Sequence, residues 1–269
     1  MALARTSAIG IEKWEGEIPP AANIMPNIIP FKYLLALRFP RDGDRIIHVH
    51  IPRSGGTSFR NLLLERYGES KVAIMQEPMP GAESVKEIFI RDVDSYYWTN
   101  RKRFLRNWWR RKFPKSRIYH GHVPLFLYPG DIINGSVIVT WLRDPVSLVL
   151  SWYMWEKYSK IPDIEPDIYK FINQRPRQNI MTEMLQSAGP VPIYYGITEY
   201  YLQDLAVLLN ALGWKWEGDY IPHLFGQPNG KERFSYLQDR SLIQEIRRLN
   251  QEDVDLYTSA IKMRNNYAL

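Results

Sequence analysis

Cysteine is absent from the 269-residue chain, which excludes disulfides, thiolate metal sites and thiol nucleophiles but does not identify a compartment. No opening stretch has the charged, apolar, small-residue order of a signal peptide. The apolar run from Ile28 to Phe39 is short and broken by Pro30 and Lys32. A soluble, cytoplasmic protein is the expectation. Internal repeats, low-complexity segments and linkers are also missing. With 45% hydrophobic and 24% charged residues, one globular domain over 1–269 is the simplest division. Acidic residues are lacking from Ser95 to Ile118, where Arg101, Lys102, Arg103, Arg106, Arg110, Arg111, Lys112, Lys115 and Arg117 supply nine positive charges. Without these nine, the formal net charge of +6 would become −3, so the basic character is local.

That basic stretch interleaves its cations with Trp98, Phe104, Leu105, Trp108 and Trp109, and Phe104, Trp108 and Trp109 mark one helical face. It is open to two readings. One is an amphipathic helix with core aromatics and solvated cations; the other is a peripheral contact for a polyanionic acceptor or an anionic surface through residues 101–117. No nucleic-acid motif accompanies it, so nucleic acid is not an expected partner. Residues 1–44 carry Pro19, Pro20, Pro26, Pro30 and Pro40. They are expected to form an irregular N-terminal arm with one short helix near Tyr33 to Leu37.

What is present centres on Arg45 to Glu65. Ile46 to Ile51 is a short apolar run interrupted by His48 and His50 and ended by Pro52, which reads as a buried strand. Phe59, Leu62, Leu63 and Tyr67 fall at helical spacing after Ser58. Between them, Pro52-Arg53-Ser54-Gly55-Gly56-Thr57-Ser58 combines two glycines, three hydroxyls and one fixed cation. Such a loop can cradle a phosphate. Glycine lets backbone N–H groups approach the anion, and the following helix adds unpaired N–H groups and its dipole. Arg53 can make a paired contact to phosphate. No lysine precedes Thr57, so this is not a Walker A loop, and a Gly-Gly turn can also be connection chemistry alone.

Two further segments bear on function. In Arg117-Ile-Tyr-His-Gly-His-Val-Pro, His120 and His122 point the same way if the chain is extended. The pair is open to a metal half-site, to acid/base work or to a structural role; the other histidines are His48, His50 and His223. Val137 to Leu142 is a continuous apolar strand, Asp144 is placed as an N-cap and Pro145 as the first helical residue. Arg143 stands at that strand's carboxyl end, where open α/β sheets bind ligands. Ser151 follows about two helical turns on, so one phosphate could touch both.

His50-Ile-Pro-Arg-Ser-Gly-Gly-Thr-Ser, taken with Arg143-Asp-Pro and Ser151, resembles the two nucleotide-binding motifs of sulfotransferases that use 3′-phosphoadenosine 5′-phosphosulfate. The similarity is greatest to glycan-modifying members related to heparan sulfate 2-O-sulfotransferase. It reaches Tyr119-His-Gly-His-Val and, more loosely, Gly196-Ile-Thr-Glu-Tyr-Tyr through Leu212. The resemblance implies that Arg53, Ser54, Gly55, Gly56, Thr57 and Ser58 hold the 5′-phosphosulfate and that Arg143 and Ser151 hold the 3′-phosphate. It implies His122 as the base, assisted by His120, with 3′,5′-diphosphoadenosine (PAP) as product and no metal. The family usually has lysine where Arg53 stands. Arginine keeps its proton, so it can neutralise charge on the leaving phosphate but cannot act as a general acid. The implied acceptor is a hydroxyl, with carbohydrate first and a lipid or secondary-metabolite alcohol second.

The resemblance implies an α/β fold, P-loop-like, with a central parallel sheet flanked by helices. Lys71 to Met75 is expected as a strand, Gln76 to Gly81 as a loop and Ser84 to Tyr97 as a helix. Beyond Trp155 the chain reads as irregular, and the cations of Arg175-Pro-Arg-Gln-Asn can face an acceptor. Thr198 is expected to cap a helix burying Tyr201, Leu205, Leu208, Leu209 and Leu212 and stopping at Gly213. Asp219 to Arg233 reads as loop, with Lys231 and Arg233 as solvated cations or nucleotide clamps. Ser241 opens one helix, and another spans Glu252 to Met263. Two rival functions remain: a P-loop-type kinase using ATP, and a noncatalytic module binding anionic glycans.

Overall fold

Alternation along Arg45–Val49 (β2) decides the architecture. Ile46 and His48 pack to one side, Ile47 and Val49 to the other, and all four are buried, so both faces of the strand must be covered. The computed structural model describes residues 28–31, 33, 45–75, 117–128, 130–158, 167–173, 178–186, 191–214 and 230–266. Among them, β2 is joined by β1 (Ile28–Pro30), β3 (Val72–Met75), β4 (Ile118–Gly121), β5 (Ser136–Leu142) and β6 (Ile193–Ile197). The sheet order is β1-β6-β5-β2-β4-β3 and every pairing is parallel. The expected α/β architecture with a central parallel sheet is what the chain adopts.

The helices are α1 (Gly56–Tyr67), α2 (Gly130–Ile133), α3 (Pro145–Tyr158), α4 (Ile168–Ile172), α5 (Ile180–Leu185), α6 (Tyr201–Ala211), α7 (Gly230–Gln238), α8 (Arg240–Leu249) and α9 (Gln251–Asn266). On one face, Phe59 and Leu63 of α1 and Leu205, Leu208 and Leu209 of α6 pack with Ile46, Val139 and Trp141. On the other, Ile47, Val49, Ile138 and Leu142 join Leu148, Met181, Leu242, Ile246 and Leu256. Fully burying one such side chain stabilises by about 2 kcal/mol. The sheet is therefore clamped from both sides, and its strand ends become fixed points. No helix among the described residues is long and apolar enough to cross a membrane.

Several sequence expectations are corrected. The N-terminal arm is not wholly irregular, because Ile28–Pro30 pairs with β6 as an edge strand, a position where Pro30 is tolerated. The segment beyond Trp155 contains β6, a buried strand paired on both sides. Thr198 does not cap α6; it opens a 3₁₀ turn, and its hydroxyl donates to the Ser54 carbonyl at 2.9 Å. Asp239, two residues before the expected start at Ser241, caps α8 by accepting from the Leu242 amide at 3.0 Å. Arg233 lies on α7 rather than in a loop. The expected helix at 84–97, the basic stretch at 98–116, the cations at 175–177, His223 and the loops 76–81 and 219–229 lie outside the described residues.

Two helix starts hold each other. Asp253 of α9 accepts from the amides of Met181 and Thr182 at 3.0 and 2.8 Å and from the Thr182 hydroxyl at 2.8 Å. In return the Asn179 side chain accepts from the amides of Glu252 and Asp253 at 3.1 and 3.3 Å. Amides that would be orphaned at both N-termini are thus paired across helices.

Candidate active site

β2 ends at Val49 and α1 begins at Gly56, three residues earlier than the spacing predicts. Thr57 and Ser58 therefore stand in the helix's first turn. The N-cap is Gly55 in the left-handed region (φ 88°), no side chain caps the helix, and its first turn holds no acid. Gly55 brings no capping side chain and the first turn no carboxylate, an arrangement that favours an anion at a helix start. Ser54 is buried, and its hydroxyl donates to the Ile51 carbonyl at 2.6 Å, so it shapes the turn. Arg53 also adopts positive φ (63°), a strained conformation for a side chain other than glycine.

The second motif touches the first. Arg143 Nη1 donates to the Arg53 carbonyl at 2.5 Å, and Arg53 Nε donates to Ser151 Oγ at 3.3 Å. Segments about ninety residues apart are joined because β5 lies beside β2 and both chains leave the sheet at the same edge. The sequence reading lets one phosphate touch both Arg143 and Ser151; the structure adds the Arg53 side chain on Ser151. Asp144 is the N-cap of α3, accepting from the Ser147 amide at 2.8 Å. Glu199 bridges Asp144 and α9, accepting from the Asp144 amide and from the Tyr257 hydroxyl, each at 3.1 Å.

Arg233 reaches the same charge environment. Burial lowers the pKa of the Arg143 guanidinium to about 10, with Arg233 and Arg53 adding to the effect and Glu199 and Asp144 opposing it. Burial also lowers Arg53 and Arg233. All three keep their protons at neutral pH, so mutual repulsion persists. Among the described residues neither Arg53 nor Arg143 makes a salt bridge to a carboxylate. Arg143 Nε is buried without a partner. A buried cation left in this state is suited to an incoming anion.

Beside the cradle lies an arrangement visible only in three dimensions. β2 and β4 pair with His48 opposite His120, and the His50 amide donates to the Gly121 carbonyl at 2.9 Å. His48, His50, His120 and His122 consequently form a two-by-two array of imidazoles on the α1 side of the sheet. His48 Nδ1 and His120 Nδ1 are 2.6 Å apart in a hydrogen bond. Ring centroids are 4.9 Å apart for His50 and His120 and 4.2 Å for His50 and His122. A Cβ on Gly56 would lie 2.0 Å from His50 Cδ2, so the missing side chain admits the His50 ring against the start of α1.

Burial lowers the pKa of all four imidazoles, to about 3 for His48 and about 4 for His122. Neighbouring imidazoles lower His48, His50 and His120 further, and the Arg60 charge lowers His50, His120 and His122. Each is neutral at pH 7 and has a ring nitrogen able to accept a proton. His122 is partly exposed, and its Nε2 is buried without a partner. Among the described residues no three His, Asp or Glu side chains are disposed to hold a metal ion.

Sequence reasoning brought forward Arg53, Ser54, Gly55, Gly56, Thr57, Ser58, His120, His122, Arg143 and Ser151, and the structure gathers them at the carboxyl edge of β2, β4 and β5. It missed His48 and His50 as neighbours of His122, although a His-x-His alternation in β2 was the available signal. It also missed Tyr201, whose ring stacks on Trp141 with centroids 4.2 Å apart and would meet a Gly55 Cβ at 3.0 Å.

The site thus joins a glycine-capped helix start to arginines on one side and neutral imidazoles on the other. No family model matches the chain, and no curated protein matches it. Similar solved structures include mouse sulfotransferase SULT7A1 complexed with PAP, at 14% identity and TM-score 0.43, covering 88% of this chain and 93% of that one. Retinol dehydratase in a complex with retinol and PAP is 14% identical at TM-score 0.44, covering 87% and 84%. Retinol dehydratase with androsterone and inactive cofactor PAP is 16% identical at TM-score 0.37, covering 88% and 72%.

Proposed function

We propose that the chain is an O-sulfotransferase using 3′-phosphoadenosine 5′-phosphosulfate, with a glycan hydroxyl as acceptor. The observation that carries the reading is the contact between its two nucleotide-like motifs, the 2.5 Å hydrogen bond from Arg143 to the Arg53 carbonyl. Because of it, one doubly phosphorylated ligand can touch both. The orphaned Arg143 Nε and the uncapped start of α1 fit such a ligand.

When bound, the donor supplies an activated sulfuryl group. Gly55, Gly56, Thr57 and Ser58 would hold its 5′ end, and Arg143 and Ser151 its 3′-phosphate. Ser54 would act through the shape of the turn. Arg53 holds its proton and neutralises negative charge. His122 accepts the acceptor's hydroxyl proton at Nε2, with His120 behind it. Its neutral state makes that possible, and anionic charge nearby would raise its proton affinity from about 4.

Thermal-shift titration tests the nucleotide. PAP at a hundredfold excess over its dissociation constant stabilises by about 2.7 kcal/mol, a shift of roughly 5–10 °C for a chain of this size. A response to ATP with Mg²⁺ and none to PAP would favour the kinase reading, and no response to either the noncatalytic module. PAP release from the donor with a heparan-type oligosaccharide, a phenol and a steroid alcohol separates acceptor classes. In His122→Ala, retained PAP binding with unchanged turnover removes His122 from the chemistry.

A further inference from the structure

The four-imidazole array contains a residue outside the motifs discussed so far. His48 is fully buried, lies within β2 and packs edge-on against Phe59 of α1 with centroids 4.8 Å apart. Its side-chain hydrogen bond runs to His120 Nδ1. An isoleucine, as at Ile46, would fill the same strand face without desolvating an imidazole. It would also leave both His120 ring nitrogens unpartnered, since His120 Nε2 already is.

Two neutral imidazoles can share one Nδ1–Nδ1 hydrogen bond only in complementary tautomers. One ring carries the proton at Nδ1, and the other carries it at Nε2 and accepts at Nδ1. The contact therefore restrains the ring angle of His120 and ties its tautomer to that of His48. From His120 the packing continues to His50 and from His50 to His122, while His50 is also seated against Gly56. The array is anchored at one end by β2 and α1 and reaches the Gly55–Gly56 turn and the partly exposed His122 at the other.

We propose that His48 is a positioning residue: through its hydrogen bond to His120 and the packed ring of His50, it sets the orientation of the His122 ring relative to the start of α1. The catalytic part of this inference rests on the sulfotransferase reading; the structural part does not. His48→Phe keeps a ring against Phe59 and deletes the hydrogen bond. His48→Asn places an amide near the position of Nδ1 and restores it.

Histidine side-chain ¹H–¹⁵N long-range spectra of the full chain at pH 7 provide the test, with the amide fingerprint confirming that each variant is folded. The expected wild-type result is complementary neutral tautomers for His48 and His120. In His48→Phe, the His120 and His122 ring signals move or become tautomer mixtures, and in His48→Asn they return toward wild type. If the donor turns over, kcat falls at least tenfold in His48→Phe, KM for the donor stays within twofold, and His48→Asn recovers most of the loss. Identical tautomers for His48 and His120 in the wild type overturn the proposal without any variant, as does an unchanged His122 spectrum in His48→Phe. Failure of the sulfotransferase reading shows separately, as a wild-type chain that does not bind PAP while the tautomer pattern holds.

Discussion

Lowering the pH should unfold this protein steeply, and the histidine array sets the slope. His48, His50 and His120 are at most 4% exposed, and burial holds their pKa values well below the ordinary 6.5. The unfolded chain takes up protons near pH 6.5 that these rings refuse in the fold. Their contribution is fully present above that pH and is lost as pH falls toward the folded values. Burial lowers His122 to about 4 as well, and each of the four groups costs about 1.4 kcal/mol per pH unit over that window, so the array costs about 5.5. Asp253 works in the opposite direction. Burial pushes its carboxyl up to about 6, against the Thr182 and Met181 hydrogen bonds, so the fold takes up this proton before the unfolded chain does. That offsets about 1 kcal/mol per pH unit.

The net loss is roughly 4 kcal/mol per pH unit between pH 6 and 5, against total stabilities of about 5–15 kcal/mol for ordinary domains. Urea unfolding at pH 7.0, 6.0, 5.5 and 5.0 measures it directly, with a constant m-value showing that the same transition is followed. A decline under about 1 kcal/mol per pH unit would mean that the imidazoles already carry protons in the fold. The neutral array would then be wrong.

Gly56→Ala should destabilise by roughly 1–3 kcal/mol in urea unfolding, because the new methyl group falls 2.0 Å from His50 Cδ2 within a packed row of rings. Arg53→Gly should leave stability unchanged or raise it by about 1 kcal/mol, since positive φ no longer strains the residue. PAP affinity, measured by calorimetry, should nonetheless fall at least tenfold; unchanged affinity would place Arg53 outside the nucleotide site. Asp253→Ala should cost about 2–4 kcal/mol at pH 7, because two amides and a hydroxyl lose their acceptor. Chemical denaturation detects this, and a loss under about 1 kcal/mol would show that water substitutes freely.

What could be read in advance depended on whether its cause was local. β5 was legible because Val137 to Leu142 is an unbroken apolar run followed by Asp144 and Pro145, a helix start signalled twice within the chain itself. β6 was not, because Ile193–Ile197, though rich in strand-forming isoleucine and tyrosine, is short, lacks alternation and is broken by Gly196. Gly196 is a packing glycine: a Cβ there would meet Trp141 at 2.5 Å and Phe31 at 2.6 Å, contacts made by other strands and turns. The candidate site divides in the same way. The cradle was legible as a string of glycines and hydroxyls. The opposition of His48 to His120 is a matter of register between two strands 72 residues apart, and a shift by one residue would turn either pair to the other face. Register is held by the whole set of apolar side chains that β2 and β4 bury on both faces. The imidazole array is therefore a consequence of the core, and residues remote from the cradle determine whether His122 has its neighbours.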